Sequence, residues 1–270
     1  TIIVLNRLNN QQALNSNIKI IPLNQNKVLR SFFPLRSLLR KNKYDFIIGN
    51  MWPITILGLA ASLLSLRKSN VLFIEHSIIS NEYNHQSVTF QRIVKLSIRL
   101  LYNFSSQIIC VSNGVKNDLE KLGVKESKLK VIFNPVDIHS ELSDHDEYDQ
   151  HSLNWKDFTG IKILSVGNLR INKNYPNLFK ALKVLRDKYN QDFISLIAGD
   201  GPEKESLRAL ITEYSLEDHV ILLGGVQDTE SLYRNADLFV LSSDYEGFGM
   251  VLVEALGYGK TIVATDCESG

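Results

Sequence analysis

The stretch Asp237-Leu-Phe-Val-Leu-Ser-Ser-Asp-Tyr-Glu-Gly-Phe-Gly-Met-Val-Leu-Val-Glu254 decides the fold of this chain. Its apolar run, residues 238–241, predicts a buried parallel strand that ends at the two serines. Gly247 and Gly249 predict a tight turn, and the apolar residues after them predict a helix that begins near Gly249. Open α/β sheets bind anions and nucleotides where a helix starts just past the carboxyl end of a strand. The stretch therefore predicts a ligand site at this turn.

Two carboxylates flank the turn, Glu246 in the loop and Glu254 in the helix. Glu246 is a candidate for binding sugar-type hydroxyls or for taking part in chemistry. Glu254 is a candidate for holding a ribose through its vicinal hydroxyls, as acidic residues do in dinucleotide sites. A loop acid and a helix salt bridge are the alternative interpretation.

Outward from this stretch, strand and helix alternate along the whole chain. The periodicity predicts strands at residues 2–5, 18–21, 45–48, 71–74, 108–111, 130–133, 161–166, 193–198, 220–223, 238–241 and 261–265. It predicts helices at 28–41, 54–66, 88–104, 113–122, 175–188, 203–214 and 228–235, besides the one near Gly249. Pro34 is expected to kink or end the first part of its helix, Ser112 to cap a helix, and Pro202 to open one. Such alternation predicts an α/β fold with parallel sheets and right-handed crossovers.

Residues 137–158 interrupt this alternation with a polar, acidic stretch. We therefore expect two Rossmann-like domains, 1–137 and 159–270, that face each other across a cleft and are joined by an acidic linker at 138–158. Asp144-His-Asp146 has the Asp-x-Asp form of metal-dependent sugar-nucleotide enzymes. Because no strand precedes it, we interpret it as part of the linker and expect no metal.

The net charge of +1 conceals an asymmetry. Residues 1–137 hold 18 Lys and Arg against 7 Asp and Glu, a net +11, and the rest of the chain carries −10. A basic first half favours an anionic partner such as a lipid surface, although two ordinary solvated surfaces would give the same numbers. The only cysteines, Cys110 and Cys267, are too far apart in sequence for a disulfide framework and predict a reducing compartment. The longest apolar stretch, residues 51–66, is too short and broken to span a bilayer.

Two further loops follow predicted strands in the second half. Residues 167–174 begin with glycine and carry Arg170 and Lys173, so they can supply the backbone N–H groups and fixed cations that a diphosphate needs. A solvated loop with surface cations is the alternative. Gly199-Asp-Gly-Pro202 is half of a dinucleotide fingerprint, and a tight turn is the alternative there.

His76 follows a predicted strand in the first half. A histidine at the carboxyl end of a strand can point into a cleft as a hydrogen-bond partner or as an acid or base. A satisfied, half-buried histidine is the alternative.

Several motifs together resemble glycosyltransferase family 4, whose members are retaining enzymes of the GT-B fold. In the second half these are Val-Gly-Asn-Leu-Arg-Ile-Asn-Lys-Asn, Ile-Ala-Gly-Asp-Gly-Pro, Val-Ile-Leu-Leu-Gly and Asp-Tyr-Glu-Gly-Phe-Gly-Met-Val-Leu-Val-Glu-Ala-Leu. In the first half they are Asp-Phe-Ile-Ile-Gly-Asn, Glu-His-Ser, Cys-Val-Ser-Asn-Gly-Val-Lys and Val-Ile-Phe-Asn-Pro-Val-Asp. The motifs follow the family's order along nearly the whole chain.

The resemblance implies a role for each matching residue. Glu246 would contact the transferred sugar, Glu254 the ribose, and Lys173 the diphosphate, while His76 would reach the donor sugar from the first domain. The family often has arginine where this chain has Asn168, and Arg170 would replace it. The donor-binding set that the resemblance implies is Asn168, Arg170, Lys173, Gly247, Phe248, Gly249, Met250, Val251 and Glu254.

The resemblance also implies that the chain is a fragment. The family's first strand and its glycine-rich loop would precede Thr1, and further strands and helices would follow Gly270. We therefore expect a chain truncated at both ends.

The expected activity is a metal-independent, hexosyltransferase-type transfer of sugar from a nucleotide diphospho-sugar to an acceptor hydroxyl, with retention. The expected acceptor is a saccharide or lipid-linked saccharide of bacterial surface polysaccharide (lipopolysaccharide, capsule or exopolysaccharide), at the cytoplasmic face of an anionic membrane. No cofactor and no nucleic-acid partner are expected. The alternatives are a non-catalytic nucleotide-sugar-binding fragment, a nicotinamide-dependent oxidoreductase and a GT-B phosphorylase.

Overall fold

The computed structural model describes residues 1–4, 18–66, 69–136, 155, 158–226 and 229–267. The chain separates into two compact units, Thr1–Phe133 and Asn134–Gly270, and both are α/β with parallel sheets. The predicted fold class is confirmed in this respect. Nearly all of the predicted acidic linker, including Asp144 and Asp146, lies outside the described residues.

The first unit contains a four-stranded parallel sheet and a separate parallel pair. The strands are β1 (Ile2–Val4), β2 (Ile20–Pro22), β3 (Phe46–Asn50), β4 (Asn70–Glu75), β5 (Gln107–Cys110) and β6 (Leu129–Val131). The helices are α1 (Phe32–Lys41), α2 (Ile54–Leu64), α3 (Ile79–Glu82), α4 (Val88–Leu101) and α5 (Asn113–Lys121). The sheet has the order β3-β4-β5-β6, and β1 pairs with β2.

Helix starts in this unit follow from local hydrogen bonding. The Ser112 hydroxyl accepts from the backbone N–H of Val115 at 3.2 Å, which confirms the predicted cap of α5. Ser87 caps α4 in the same way by accepting from Phe90. Pro34 does not break its helix, because residues 28–31 form a 3-10 turn and α1 begins only at Phe32. Pro34 therefore lies in the first turn, where its missing N–H leaves no bond unmade.

The second unit contains five strands and four helices among its described residues. The strands are β7 (Ile161–Val166), β8 (Phe193–Ala198), β9 (Val220–Gly224), β10 (Leu238–Leu241) and β11 (Thr261–Ala264). The helices are α6 (Tyr175–Tyr189), α7 (Lys204–Glu213), α8 (Glu230–Asn235) and α9 (Met250–Gly257). The prediction that Pro202 opens a helix is wrong, since α7 begins two residues later with Glu203 as its N-cap.

The sheet of the second unit has the order β11-β10-β7-β8-β9, with every pairing parallel. The chain moves outward from β7 through β8 to β9, then returns to the other side of β7 for β10 and β11. The strand order therefore reverses between β7 and β10, and ligands of open α/β sheets bind at such a switch point. Two core clusters, centred on Phe179 and Phe193 and on Phe239 and Tyr233, pack against this sheet.

None of the described helices in either unit is long and apolar enough to cross a membrane.

Candidate functional site

The two loops that flank the switch point are joined by hydrogen bonds. Residues 167–174 follow β7, and residues 242–249 follow β10. The backbone N–H of Asp244 donates to the Asn172 carbonyl at 2.8 Å, and the Asn174 amide donates to Oδ1 of Asp244 at 2.7 Å. The predicted phosphate loop and the predicted sugar-binding turn thus meet at one edge of the sheet.

An ion pair links the two loops at the centre of the site. Lys173 Nζ lies 2.6 Å from Glu246 Oε1, and the two side chains are only 15% and 12% exposed. Two adjacent serines at the end of β10 hold the two partners. The Ser243 hydroxyl donates to Glu246 Oε1 at 2.6 Å, and the Ser242 hydroxyl donates to the Lys173 carbonyl at 2.7 Å. Sequence reasoning missed both serines, because it interpreted them only as the end of a strand.

Tyr175 closes the site on the side of the first loop. Its hydroxyl donates to the Gly167 carbonyl at 3.1 Å. Burial raises the pKa of Tyr175 well above its ordinary value, and the negative charge of Glu246 raises it further. A Cβ on Gly167 would stand 3.2 Å from Cε of Lys173, which is tighter than ordinary packing. The glycine therefore leaves the room in which the lysine side chain lies.

Gly199 and Gly201 let a third loop approach the first. A Cβ on Gly199 would stand 2.0 Å from the Gly167 carbonyl oxygen, and one on Gly201 would stand 2.3 Å from the Leu169 carbonyl oxygen. The backbone N–H of Leu169 donates to the Asp200 carbonyl at 3.0 Å. These glycines therefore serve close packing of two loops, in agreement with the tight-turn interpretation rather than the dinucleotide one.

Glu254 projects from α9, whose N-cap Gly249 lies in the left-handed region with a φ of 76°. The Tyr233 hydroxyl donates to Glu254 Oε2 at 2.8 Å. Burial and this hydrogen bond raise the pKa of Tyr233 well above its ordinary value, so the tyrosine stays a donor. Sequence reasoning missed Tyr233, whose only signal is its apolar position in α8. The other predicted donor-binding residues lie between Glu246 and Glu254. The loop before α9 contains Gly247 and Phe248, and the first turn of α9 contains Met250 and Val251.

The other two predicted phosphate contacts, Asn168 and Arg170, are exposed in the first loop. Arg170 lines a cavity of about 370 Å³ together with Glu203 and Ser206 near the start of α7. Of the two predicted cations, the structure thus brings Lys173 to Glu246 and places Arg170 beside α7.

His76 belongs to the first unit, directly after β4, and is half-buried there. Burial lowers its pKa. Its predicted contact with a donor sugar stays a prediction.

Glu75, the neighbour of His76, is fully buried and was not singled out from the sequence. The Tyr102 hydroxyl donates to Glu75 Oε1 at 2.6 Å, and Thr55 lies 3.0 Å from the same hydroxyl. The other carboxyl oxygen, Oε2, has no hydrogen-bond partner in the described part of the chain. Burial raises the pKa of Glu75 to about 7, and the bond from Tyr102 offsets only part of that rise. In the sequence, Glu75 could have been noticed because every second residue of β4 is buried and Glu75 occupies one of these buried positions.

No group of three or more His, Cys, Asp or Glu residues in the described ranges has the arrangement of a metal site.

Two family models match the chain, and together they cover most of it. The model described as Glycosyltransferase Family 4 matches residues 7–140, and the one described as Glycosyl transferases group 1 matches residues 151–270.

The chain is similar in sequence to bacterial glycosyltransferases. One is N-acetylgalactosamine-N,N'-diacetylbacillosaminyl-diphospho-undecaprenol 4-alpha-N-acetylgalactosaminyltransferase of Campylobacter jejuni, 30% identical over 72% of this chain and 52% of that protein. Another is the amylovoran biosynthesis glycosyltransferase AmsD of Erwinia amylovora, 26% identical over 83% of this chain and 59% of that protein. The chain therefore spans little more than half the length of these relatives.

Solved structures share the fold. Anabaena HepE in complex with UDP and glucose is 24% identical, with a TM-score of 0.76 over 93% of this chain and 68% of that one. The sucrose-phosphate synthase of Thermosynechococcus elongatus is 18% identical, with a TM-score of 0.77 over 98% of this chain and 70% of that one. Because two glycosyltransferase family models match successive parts of the chain and a named glycosyltransferase is 30% identical to it, the chain belongs to glycosyltransferase family 4.

Proposed function

We propose that this chain acts in a retaining, metal-independent glycosyl transfer that uses a nucleotide diphospho-sugar. The observation that carries the proposal is the 2.6 Å pair of Lys173 and Glu246 at the switch point of the sheet. Lys173 would supply a cation for the diphosphate of the donor, and Glu246 beside it would supply a carboxylate for the hydroxyls of the donor sugar.

Donor binding would exchange the partners of this pair. The diphosphate takes the place of Glu246 as the partner of Lys173, and the charge of Lys173 with the amino end of α9 stabilises the leaving group. This cation is the reason that the proposed reaction needs no metal. Ser243 still holds Oε1 of Glu246, while Oε2 accepts a hydroxyl of the transferred sugar.

Glu254 would orient the nucleoside. A carboxylate suits the vicinal hydroxyls of a ribose, and the bond from Tyr233 fixes the rotamer of Glu254. Asn168, Arg170 and the turn from Gly247 to Val251 would add contacts to phosphate and sugar, and His76 would hydrogen-bond the donor sugar.

The transfer itself would keep the configuration of the anomeric carbon. The bond from that carbon to the diphosphate oxygen breaks, and the bond to the acceptor oxygen forms on the same face. The acceptor proton leaves with the departing diphosphate, which balances the charge of the step.

The proposed acceptor is a lipid-linked saccharide of bacterial surface polysaccharide synthesis, used at the cytoplasmic face of an anionic membrane. Two facts support this choice. The Campylobacter jejuni relative is named for a diphospho-undecaprenol-linked substrate, and residues 1–137 carry a net charge of +11.

The test is a binding titration of the full chain against UDP-, GDP- and ADP-sugars, followed by a turnover assay with a lipid-linked acceptor. We expect one nucleotide class to bind through Lys173 and Glu254, and the product to keep the donor's anomeric configuration by NMR. An inverted product would overturn the retaining mechanism, and loss of activity in EDTA would overturn metal independence. If no nucleotide sugar binds, the proposal fails.

A non-catalytic nucleotide-sugar-binding chain is the second candidate, because the chain spans only 52% of the length of the Campylobacter jejuni relative. Donor binding without turnover, under conditions where a full-length relative is active, would favour it. The nicotinamide alternative has no support, since Gly199 and Gly201 serve loop packing.

A further inference from the structure

A buried acid lies directly before His76 at the carboxyl end of β4. Glu75 is fully buried, and His76, the next residue, is half-buried. In the proposed transfer only His76 has a role, as a hydrogen-bond partner of the donor sugar. Because acids are almost never fully buried unless they are paired, the contacts of Glu75 indicate what it does.

The side chain of Glu75 connects β4 to two helices. The Tyr102 hydroxyl, at the end of α4, donates to Glu75 Oε1 at 2.6 Å. Since that hydrogen is used, the Thr55 hydroxyl donates to the Tyr102 oxygen at 3.0 Å. Thr55 lies in the first turn of α2, and a Cβ on Gly49 would stand 3.1 Å from its Cα, so α2 begins in close contact with β3. Glu75 therefore ties the start of α2 and the end of α4 to the end of β4.

Backbone hydrogen bonds hold the same strand end from both sides. The N–H of Met51, which follows β3, donates to the Ile74 carbonyl at 3.1 Å. The N–H of Val111, which follows β5, donates to the Glu75 carbonyl at 3.3 Å. The two carbonyl groups that precede His76 are thus bonded to the neighbouring strand ends. A movement of the Glu75 backbone would therefore move His76 with it.

Neutral groups surround the Glu75 carboxyl group. The titratable side chains that face it are Tyr102 from the end of α4, Tyr83 from the end of α3 and Cys110, its register partner on β5. Burial raises the pKa of all three, so they stay protonated. On α5, Lys116 and Glu120 act on Cys110 and pair with each other at 3.4 Å. Within the described ranges, Glu75 has no cation as a partner.

An ionised Glu75 would be a buried negative charge without a counter-ion. Oε2 accepts no hydrogen bond from any residue that the structure describes, so only water could stabilise a charge there. Burial accordingly raises the pKa of Glu75 to about 7. The adjoining residue His76 is half-buried, so the shortest path for water along the chain leads past it. Ionisation of Glu75 is therefore expected to loosen the strand end at His76.

We propose that Glu75 is a positioning residue that acts through His76. Its neutral carboxyl group holds the end of β4, and with it the imidazole that would contact the donor sugar. Its ionised form draws water to Oε2 and displaces that strand end. The contact of His76 with a donor sugar rests on the proposed function, whereas the coupling of Glu75 to His76 does not.

The ring signals of His76 in NMR spectra of the full chain test this coupling without a donor. The chain has six histidines, and a His76→Gln variant identifies the signals of His76. Burial lowers the pKa of His76 from its ordinary value of 6.5, so its own titration is separated from that of Glu75. We expect a second inflection near pH 7 in the wild type and none in Glu75→Gln, which stays neutral. His219, in the second unit, is the control and should titrate alike in both proteins.

A second variant should shift the inflection in a known direction. Tyr102→Phe removes the donor to Oε1, which favours the ionised carboxylate, so the inflection should move to higher pH. Tyr189→Phe changes an exposed tyrosine of α6 and should leave the inflection where it is.

Turnover of a nucleotide sugar measures the consequence for the transfer. Above pH 7 we expect kcat to fall about tenfold for each pH unit, as the neutral fraction of Glu75 does. Glu75→Ala should lose more than about tenfold at pH 6, because His76 is misplaced. Glu75→Gln should restore the rate at pH 6 and remove the alkaline fall. In a His76→Gln background, Glu75→Gln should have no further effect.

Two kinds of result would overturn the proposal. One is a His76 signal that has no inflection near pH 7, or an inflection that Glu75→Gln retains. The other is an alkaline fall in turnover that is unchanged in Glu75→Gln or in His76→Gln. If no nucleotide sugar is turned over at any pH, the proposed function fails, while the His76 signals still decide whether Glu75 positions the histidine.

Discussion

Lys173 and Glu246 form a largely buried ion pair across two loops, and the two residues are 73 positions apart in the sequence. The pair joins the two loops, and in the proposed donor complex the diphosphate would replace Glu246 as the partner of Lys173. Because the same contact would then serve stability and donor binding, variants must be compared for stability as well as for activity.

The first prediction concerns Glu246→Gln. The amide keeps the shape of the side chain but loses the charge that Lys173 and a sugar hydroxyl would meet, so we expect kcat to fall by about two orders of magnitude. The melting temperature should fall as well, because the largely buried Lys173 loses its ion-pair partner, so activity is compared at a temperature where both proteins are folded. Glu217→Gln, an exposed acid outside the site, is the control and should keep full activity. Full activity of Glu246→Gln would remove Glu246 from the mechanism.

The second prediction concerns the buried serine that holds Glu246. Ser243→Ala removes the 2.6 Å donor to Oε1, and the lost bond to a charged group should cost about 2 kcal/mol. We expect kcat to fall more than tenfold while the KM for the donor changes little. Ser195→Ala is a matched control, because Ser195 is also fully buried but its hydroxyl has no hydrogen-bond partner in the described part of the chain. If both variants behave alike, the serine does not position Glu246.

The third prediction separates the nucleoside from the sugar. Glu254→Ala should raise the Kd of the free nucleotide about tenfold or more, because the ribose hydroxyls lose their acceptor. Tyr233→Phe keeps the Glu254 carboxylate and removes the 2.8 Å bond that orients it, together with a 3.5 Å bond to the Val251 carbonyl, so its effect on Kd should be smaller and in the same direction. Isothermal titration measures both. Unchanged nucleotide binding in Glu254→Ala would contradict the assignment.

The fourth prediction is a pH dependence of stability in the first unit. Burial raises the pKa of Glu75 from 4.5 to about 7, so the folded state binds this proton more tightly than the unfolded state does. The stabilising effect is complete below pH 4.5 and is lost as the pH rises to about 7, a change on the order of 3 kcal/mol. Urea unfolding followed by Trp52 fluorescence in a Trp155→Phe background measures this change.

Glu75→Gln is the variant that isolates this effect. It is neutral at every pH, so the part of the slope that Glu75 contributes between pH 4.5 and pH 7 should disappear, while Tyr102 can still donate to the amide oxygen. The exposed Glu217→Gln should keep the slope. A wild-type protein whose first unit is equally stable at pH 5 and pH 8 would show that Glu75 is ionised in the fold.

The fifth prediction tests the loop packing beneath the site. Gly199→Ala would place a Cβ 2.0 Å from the Gly167 carbonyl oxygen, which the backbone cannot accommodate without moving. We expect a loss of more than 2 kcal/mol in the free energy of unfolding and weaker donor binding. Gly225→Ala meets nothing within 4 Å and is the control. Equal stability of the two variants would mean that the loops can separate freely.

The sequence indicated the charged residues of the candidate site but not the neutral residues that hold them. Glu246 and Glu254 were singled out because they flank the predicted turn, and Lys173 because it is a cation in a loop that follows a predicted strand. The structure brings Lys173 and Glu246 together. Ser243 and Tyr233 were missed, because a serine that ends a strand and a tyrosine in a short helix have no distinctive pattern. Their importance comes from partners distant in the sequence, which periodicity does not report.

Element types were predicted well and element ends less well. Strand β7 has the predicted bounds, 161–166, since an unbroken apolar run between polar residues fixes both ends. Helix α7 begins later than predicted, and Pro202 lies in the turn before it. The turn 199–202 is set by the close approach of Gly199 and Gly201 to the first loop, and that contact outweighs the helix-starting preference of proline.

The placement of β10 beside β7 also bears on the order in which the protein folds. Strands β7, β8 and β9 can pair as they leave the ribosome, because each lies next to its predecessor in the sheet. Strand β10 must return past both to reach β7, which is a contact of long sequence separation and therefore a slow one. The Lys173–Glu246 pair forms only when that return is complete. Under the proposed function, nucleotide affinity during refolding should therefore appear only after β10 has paired with β7.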